Sequence, residues 1–131
     1  MTRFSDAIRR TISSYADLIR SSALYRYTTI ASLVLVALTV ALPAWKIMPL
    51  RETAPFIPLH YNIYIGIDRF GPWYFAFVPG ALGATLLVVN TLFQAVFFRR
   101  ERVLSSFFAV ATVFAEVALF VAIVLTVLLN L

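Results

Sequence analysis

Three nearly uninterrupted apolar runs, Thr28–Trp45, Trp73–Phe98 and Val103–Leu131, take up more than half of this 131-residue chain. A helix that crosses a bilayer needs about 20 apolar residues, with roughly 17 as the lower bound, and each run is long enough. Soluble domains are about half apolar and a quarter charged, whereas this chain is 62% hydrophobic and 13% charged. So short a chain cannot bury that excess in its own interior, so lipid has to act as the solvent. The expected fold class is an all-α membrane protein: three transmembrane helices in a left-handed bundle, an amphipathic N-terminal helix and a short extracytoplasmic β-hairpin or irregular loop. Residues 1–27 form the cytoplasmic interfacial helix, 28–46 the first span and 47–72 the outer loop. Residues 73–98 form the second span, 99–102 a cytoplasmic turn and 103–131 the third span.

In the N-terminal segment Phe4, Ile8, Ile12, Tyr15 and Leu18 or Ile19 recur at spacings of 3 and 4, one face of a helix. Most of the arginines lie off that face, and Ser5 and Asp6 suit a helix start. The segment reads as a helix lying in the cytoplasmic interface or, alternatively, as a solvated basic tail. The region before Thr28 is too long for a signal peptide, and Pro43 spoils the cleavage geometry around Ala41 and Ala44, so the first span is expected to be an uncleaved anchor.

Lys and Arg placement sets the orientation. Eight arginines (Arg3, Arg9, Arg10, Arg20, Arg26, Arg99, Arg100 and Arg102) flank one side, against Lys46, Arg51 and Arg69 on the other. The N-terminus and the Arg99–Arg102 turn are therefore expected in the cytoplasm of a bacterial inner membrane, with the outer loop and the C-terminus outside. Arg9, Arg10, Arg20, Arg99, Arg100 and Arg102 are the expected lipid-headgroup contacts. The net charge of +5 is small beside the apolar content and points to lipid, not nucleic acid. The chain has no Cys, which excludes disulfides and thiolate metal ligands. No cofactor, metal site or catalytic constellation is expected, and the chain is not read as an enzyme.

The spans carry their small and polar residues on stripes. Ser105, Ala109, Thr112, Glu116, Leu119, Ile123, Thr126 and Asn130 step alternately by 4 and 3, and Gly80, Gly83, Leu87, Asn90 and Gln94 by 3 and 4. Ser32, Thr39 and Lys46 are 7 apart. A mean period of 3.5 describes a left-handed seam, and in lipid such residues face partner helices. Counted from the cytoplasmic ends, Asn90 lies 8 residues deep and Thr112 lies 9, so they are expected to form one layer. Thr39 is 11 deep and Glu116 and Thr85 are 13, so Glu116 is expected to meet Thr39 or the Gly83–Thr85 backbone. Ser32 and Gln94, both 4 deep, form a third expected layer. A carboxylate at the depth of Glu116 costs at least a few kcal/mol. Two roles are open: a neutral acid donating a hydrogen bond that pins the bundle, or a proton or cation relay.

The outer loop holds the only His. Pro58, His60, Asn62, Gly66 and Asp68 make the pattern P-x-H-Y-N-x3-G-x-D. Tyr61–Ile67 is rich in β-formers between Pro and Gly, which suits a hairpin, and His60 and Asp68 could meet across it. His60, Asn62 and Asp68 are the outer-loop candidate site. Two ligands are too few for zinc, and an acid–base pair here lacks a nucleophile. The architectural alternative has Asn62 and Asp68 bonding turn amides and His60 a backbone carbonyl, with the aromatics resting on the interface.

The stretch IPLHYNIYIGIDRFGPW, continued by Asn90, by RRERVLSSF and by an apolar third span ending near Asn130, resembles small uncharacterised three-span membrane proteins of uncultivated ultrasmall bacteria. The likeness spans roughly 50–131 and implies fold and topology but no activity. More distantly, Pro58-x-His60-Tyr61-Asn62 and Gly66-x-Asp68 are similar to the P-x-H-[FW]-N…G-x-x-D loop of a domain of unknown function in Sdp-type immunity and signalling membrane proteins. Here the His60–Gly66 spacing is longer and Asp68 comes earlier. Three functions are expected in order: a non-enzymatic partner-binding protein or accessory subunit, with a membrane-protein partner or a homo-oligomer; a proton-coupled or small-solute transport element using Glu116 and Asn90; and an immunity or envelope-signalling protein.

Overall fold

The computed structural model describes residues 2–131. Helix α1 (Thr2–Ser21) is followed, after Ser22, by α2 (Ala23–Lys46) and a 3-10 turn (Met48–Glu52). Strands β1 (Phe56–Asn62) and β2 (Gly66–Pro72) pair antiparallel. A second 3-10 turn (Trp73–Phe77) leads into α3 (Val78–Phe97), and α4 (Arg102–Leu128) completes the order. The stretches Ala23–Lys46, Trp73–Phe97 and Arg102–Leu128 are long and apolar enough to cross a membrane.

Several boundaries differ from the expected ones. The second long helix starts at Ala23, not Thr28, and Tyr25 in its first turn is buried in the fold. The Thr28 hydroxyl donates back to the Leu24 carbonyl, at 2.8 Å. Pro79–Gly80 mark the true start of α3: proline has no N–H to lose in a first turn, and the aromatic run before it winds as a 3-10 turn. Pro43 lies inside α2, and the helix closes beyond it through Ile47 N–H to the Pro43 carbonyl, 2.8 Å.

The contacts divide the chain into two units, and α2, α3 and α4 each contribute to both. The first unit comprises residues 1–33 and 85–115. Its core is Leu18, Tyr25 and Ala109, with Tyr15 and Phe98 packed on them. The Tyr25 ring meets Phe98 edge-on at 5.6 Å, and its hydroxyl bonds that of Ser106 at 3.1 Å. The Tyr15 and Thr29 hydroxyls, 2.6 Å apart, tie α1 to α2. The apolar face of α1 is thereby split: Tyr15 and Leu18 pack inward, while Phe4, Ile8 and Ile12 stay exposed.

The second unit comprises residues 34–84 and 116–131. Its core is Ile47, Ile57, Ala76, Ile123 and Val127, bordered by Leu42, Leu59, Trp73 and Phe120. The hairpin sits on that core through Ile57 and Leu59. Asn130 Nδ2–H donates to the Pro58 carbonyl at 2.8 Å, which fastens β1 to the end of α4. An added Cβ at Gly80 would stand 2.6 Å from Val40 Cγ2, so a glycine is needed where α3 passes α2.

Candidate functional site

The hairpin turn is built by two residues. Asn62 Oδ1 accepts from the Tyr64 N–H at 2.9 Å, a side-chain mimic of a backbone turn. Gly66 takes φ +80°, a conformation that a Cβ disfavours. The turn thus spans the middle of Tyr61–Ile67, and Pro58 lies within β1. Proline is tolerated there because β1 and β2 are both edge strands. The ladder slips between Pro58 and His60 and again between His60 and Tyr61, leaving Leu59 and Asp68 out of register. Such bulges re-aim side chains. His60 stands opposite Arg69 in the ladder, yet its Nδ1–H donates to Asp68 Oδ1 at 2.7 Å. Asp68 therefore pairs with the imidazole and not with a turn amide, and His60 with a carboxylate and not with a carbonyl. Asn62 stands apart from this pair, in the turn.

His60 and Asp68 border a groove of about 610 Å³, together with Arg69, Phe75, Ala122 and Ile123. A second hollow of about 430 Å³ shares Leu59, His60, Ala122 and Thr126 and continues along Leu125 and Leu128 of α4. The rim is polar and the walls are apolar. Arg69 makes no ion pair among the described residues. The side chain of His60 is 63% exposed and that of Asp68 27%, so the pair is open to a ligand. Sequence reasoning placed His60 and Asp68 together but passed over Arg69 and Ala122. Their signal was weak: an arginine next to Asp68, and a small residue on an otherwise bulky face.

The intramembrane candidates fall in both units. In the first, Asn90 Nδ2–H donates to Thr112 Oγ1 at 2.8 Å, and Thr112 Oγ1–H donates to the Phe108 carbonyl at 2.6 Å. Gln94 is buried, but its backbone carbonyl accepts from Ser105 Oγ–H at 3.0 Å. Ser105 thus joins Gln94 at its level, where α3 and α4 meet beside their short turn, and Ser32 is buried as well. The Gln94 Oε1 atom has no partner among the described residues.

In the second unit, Thr39 is buried and its hydroxyl turns back to the Leu35 carbonyl at 2.7 Å. Glu116 is wholly buried, with neither carboxyl oxygen hydrogen-bonded among the described residues. The expected hydrogen bond from Glu116 is therefore not made. The carboxyl instead fills the notch at Gly83, where an added Cβ would lie 2.5 Å from Oε2. The Thr39 hydroxyl donates within its own helix and makes no bond to Glu116.

Among the described residues, no three His, Asp or Glu side chains gather as a metal site would need. The expected headgroup contacts Arg9, Arg10, Arg20, Arg99, Arg100 and Arg102 are all exposed, and Arg102 also lies over the Phe98 ring at 5.3 Å. No protein family, curated protein or solved structure matches the chain.

Proposed function

We propose that the protein is a non-enzymatic integral membrane protein that binds a bilayer-resident partner in the groove beneath its hairpin. The membrane reading rests on an inside-out distribution. Ser32, Thr39, Ser105, Thr112 and Glu116 are buried, while Leu33, Val88 and Phe114 are exposed. In water that arrangement loses hydrophobic stabilisation; in lipid it is the favourable one. The bare Phe4, Ile8 and Ile12 face of α1, flanked by arginines, suits a cytoplasmic bilayer surface. With eight basic residues on that side, the N-terminus and the Arg99–Arg102 turn lie in the cytoplasm.

The observation that carries the binding role is the groove itself. Its polar rim of His60, Asp68 and Arg69 meets the apolar wall of α4, and such concave sites with few convergent polar groups are where ligands bind. The full-length chain, extracted and exchanged exhaustively into one detergent, should retain a stoichiometric bilayer-derived molecule by native mass spectrometry. Ala122→Trp fills the groove and should remove it. Retention equal to that of the unaltered chain would refute the groove as the binding surface.

A second reading is a proton-coupled transport element, favoured by the unpartnered carboxyl of Glu116. If Glu116 only fills the notch at Gly83, Glu116→Gln changes no flux. A loss of proton-linked dye response in proteoliposomes, with the fold retained, would establish the transport reading instead.

A further inference from the structure

Taking the groove as the binding surface, we infer that its occupant is a phospholipid with a primary-ammonium headgroup, of the phosphatidylethanolamine type. The rim presents one cation and one anion on adjacent residues, Arg69 and Asp68, both bordering the same groove. Among the described residues Arg69 makes no ion pair, and its planar fork suits a phosphate, to which it can bond in two places. Asp68 spends Oδ1 on His60 Nδ1–H and has further lone pairs for a donor. In its neutral form with the proton on Nδ1, the imidazole would add Nε2 as a second acceptor. One phosphate-binding cation beside two acceptors is the complement of a phosphate followed by an ammonium bearing N–H groups. It does not match a trimethylated ammonium, which has no N–H to donate, or a glycerol headgroup, which brings no second charge.

The occupant is a lipid and not a free phosphate ester because of what lies below the rim. Ala122, Leu125 and Leu128 of α4 wall the lower groove, and they belong to a helix long and apolar enough to cross a membrane. The groove thus opens along the surface where acyl chains run. Phe75 and Ile123 wall the other side. A headgroup held at Arg69 and Asp68 would lay one chain along α4.

The test uses the full-length chain in detergent micelles doped with equal amounts of phosphatidylethanolamine, phosphatidylcholine and phosphatidylglycerol of identical acyl chains. Bound lipid is counted by native mass spectrometry. The expected result is a preference of about tenfold for phosphatidylethanolamine over each of the others, the worth of one charge-assisted hydrogen bond. Arg69→Gln should lower binding of all three lipids alike, by about tenfold. Asp68→Asn should leave phosphatidylcholine binding unchanged and erase the preference. These side chains are partly or largely exposed, so both variants should elute and unfold like the parent chain. Equal binding of the three lipids by the parent chain overturns the inference, as does a preference that survives Asp68→Asn. Loss of lipid in Ala122→Trp without any headgroup preference would sink this inference and leave the groove as a binding surface. Unchanged lipid in Ala122→Trp would sink the groove reading itself.

Discussion

Gly83 and Glu116 give the most direct test of how α3 and α4 meet. In Gly83→Ala the new methyl carbon would lie 2.5 Å from Glu116 Oε2, 3.3 Å from its Cδ and 3.4 Å from Oε1. A carbon–oxygen contact needs about 3.3 Å, so the carboxyl must retreat by nearly an ångström. Glu116 is wholly buried and has little room to do so. Overpacking of this kind costs about 1–3 kcal/mol. Alanine in a helix regains about 0.5–1 kcal/mol over glycine, so the net effect in the parent chain is a destabilisation of up to about 2.5 kcal/mol. In a Glu116→Ala background the obstacle is gone and only the alanine gain remains, so the same change should stabilise by about 0.5–1 kcal/mol. The coupling between the two sites is then about 1–3 kcal/mol, well above the additivity error of about 0.5 kcal/mol. Equilibrium unfolding in mixed micelles, with increasing fractions of a denaturing detergent and helicity followed by circular dichroism, measures all four corners of the cycle. A Gly83→Ala effect of equal sign and size in both backgrounds would refute the close approach.

Asn90 and Thr112 should couple by about 0.6 kcal/mol and at most about 1.7 kcal/mol, the range for hydrogen bonds between helices in lipid, in a cycle of Asn90→Ala and Thr112→Ala read by the same unfolding assay. Gly66→Ala should cost about 1–2 kcal/mol locally, because φ +80° is unfavourable for a residue with a Cβ; amide exchange of β1 and β2 should quicken while that of α3 stays the same. Asn130→Leu removes the donor to the Pro58 carbonyl and should raise exchange in β1, with little change in helicity. A cysteine replacing Ile63 should react with an impermeant maleimide added outside intact cells, and one replacing Arg100 only after the membrane is opened. The reverse pattern would invert the proposed topology.

The periodic features were legible because periodicity is local. The stripe from Ser105 to Ile123 could be read from spacing alone, and the structure buries Ser105, Ala109, Thr112, Glu116 and Ile123 along it. The pairing of Asn90 with Thr112 followed from equal depth, since a short turn forces two antiparallel helices into step. Depth says nothing about rotation. Ser32 and Gln94 share a depth and are both buried, yet it is Ser105 that bonds the Gln94 carbonyl. The β-forming character of Tyr61–Ile67 announced a hairpin, but its strands extend outward to Phe56 and Pro72. Phe56 and Ile57 lay outside the segment read as β-forming, and their pairing partners Pro72 and Gly71 lie on the far side of the turn.

Alternating residue size and polarity along the chain therefore settled the helical segments, their inward faces and the existence of the outer hairpin. Each depends on neighbours within a few residues, where the backbone period alone decides which side chains share a face. The tertiary structure decided what those faces meet. Two ladder slips carry Asp68 to His60 beside Arg69, and a missing Cβ at Gly83 admits a carboxyl that Thr39 does not serve. Spacing and depth had already raised the His60–Asp68 and Glu116–Gly83 encounters as expectations. The slips in the ladder and the lack of a hydrogen bond to the Glu116 carboxyl among the described residues turn on ångström-scale register and rotamer choices that no local pattern encodes.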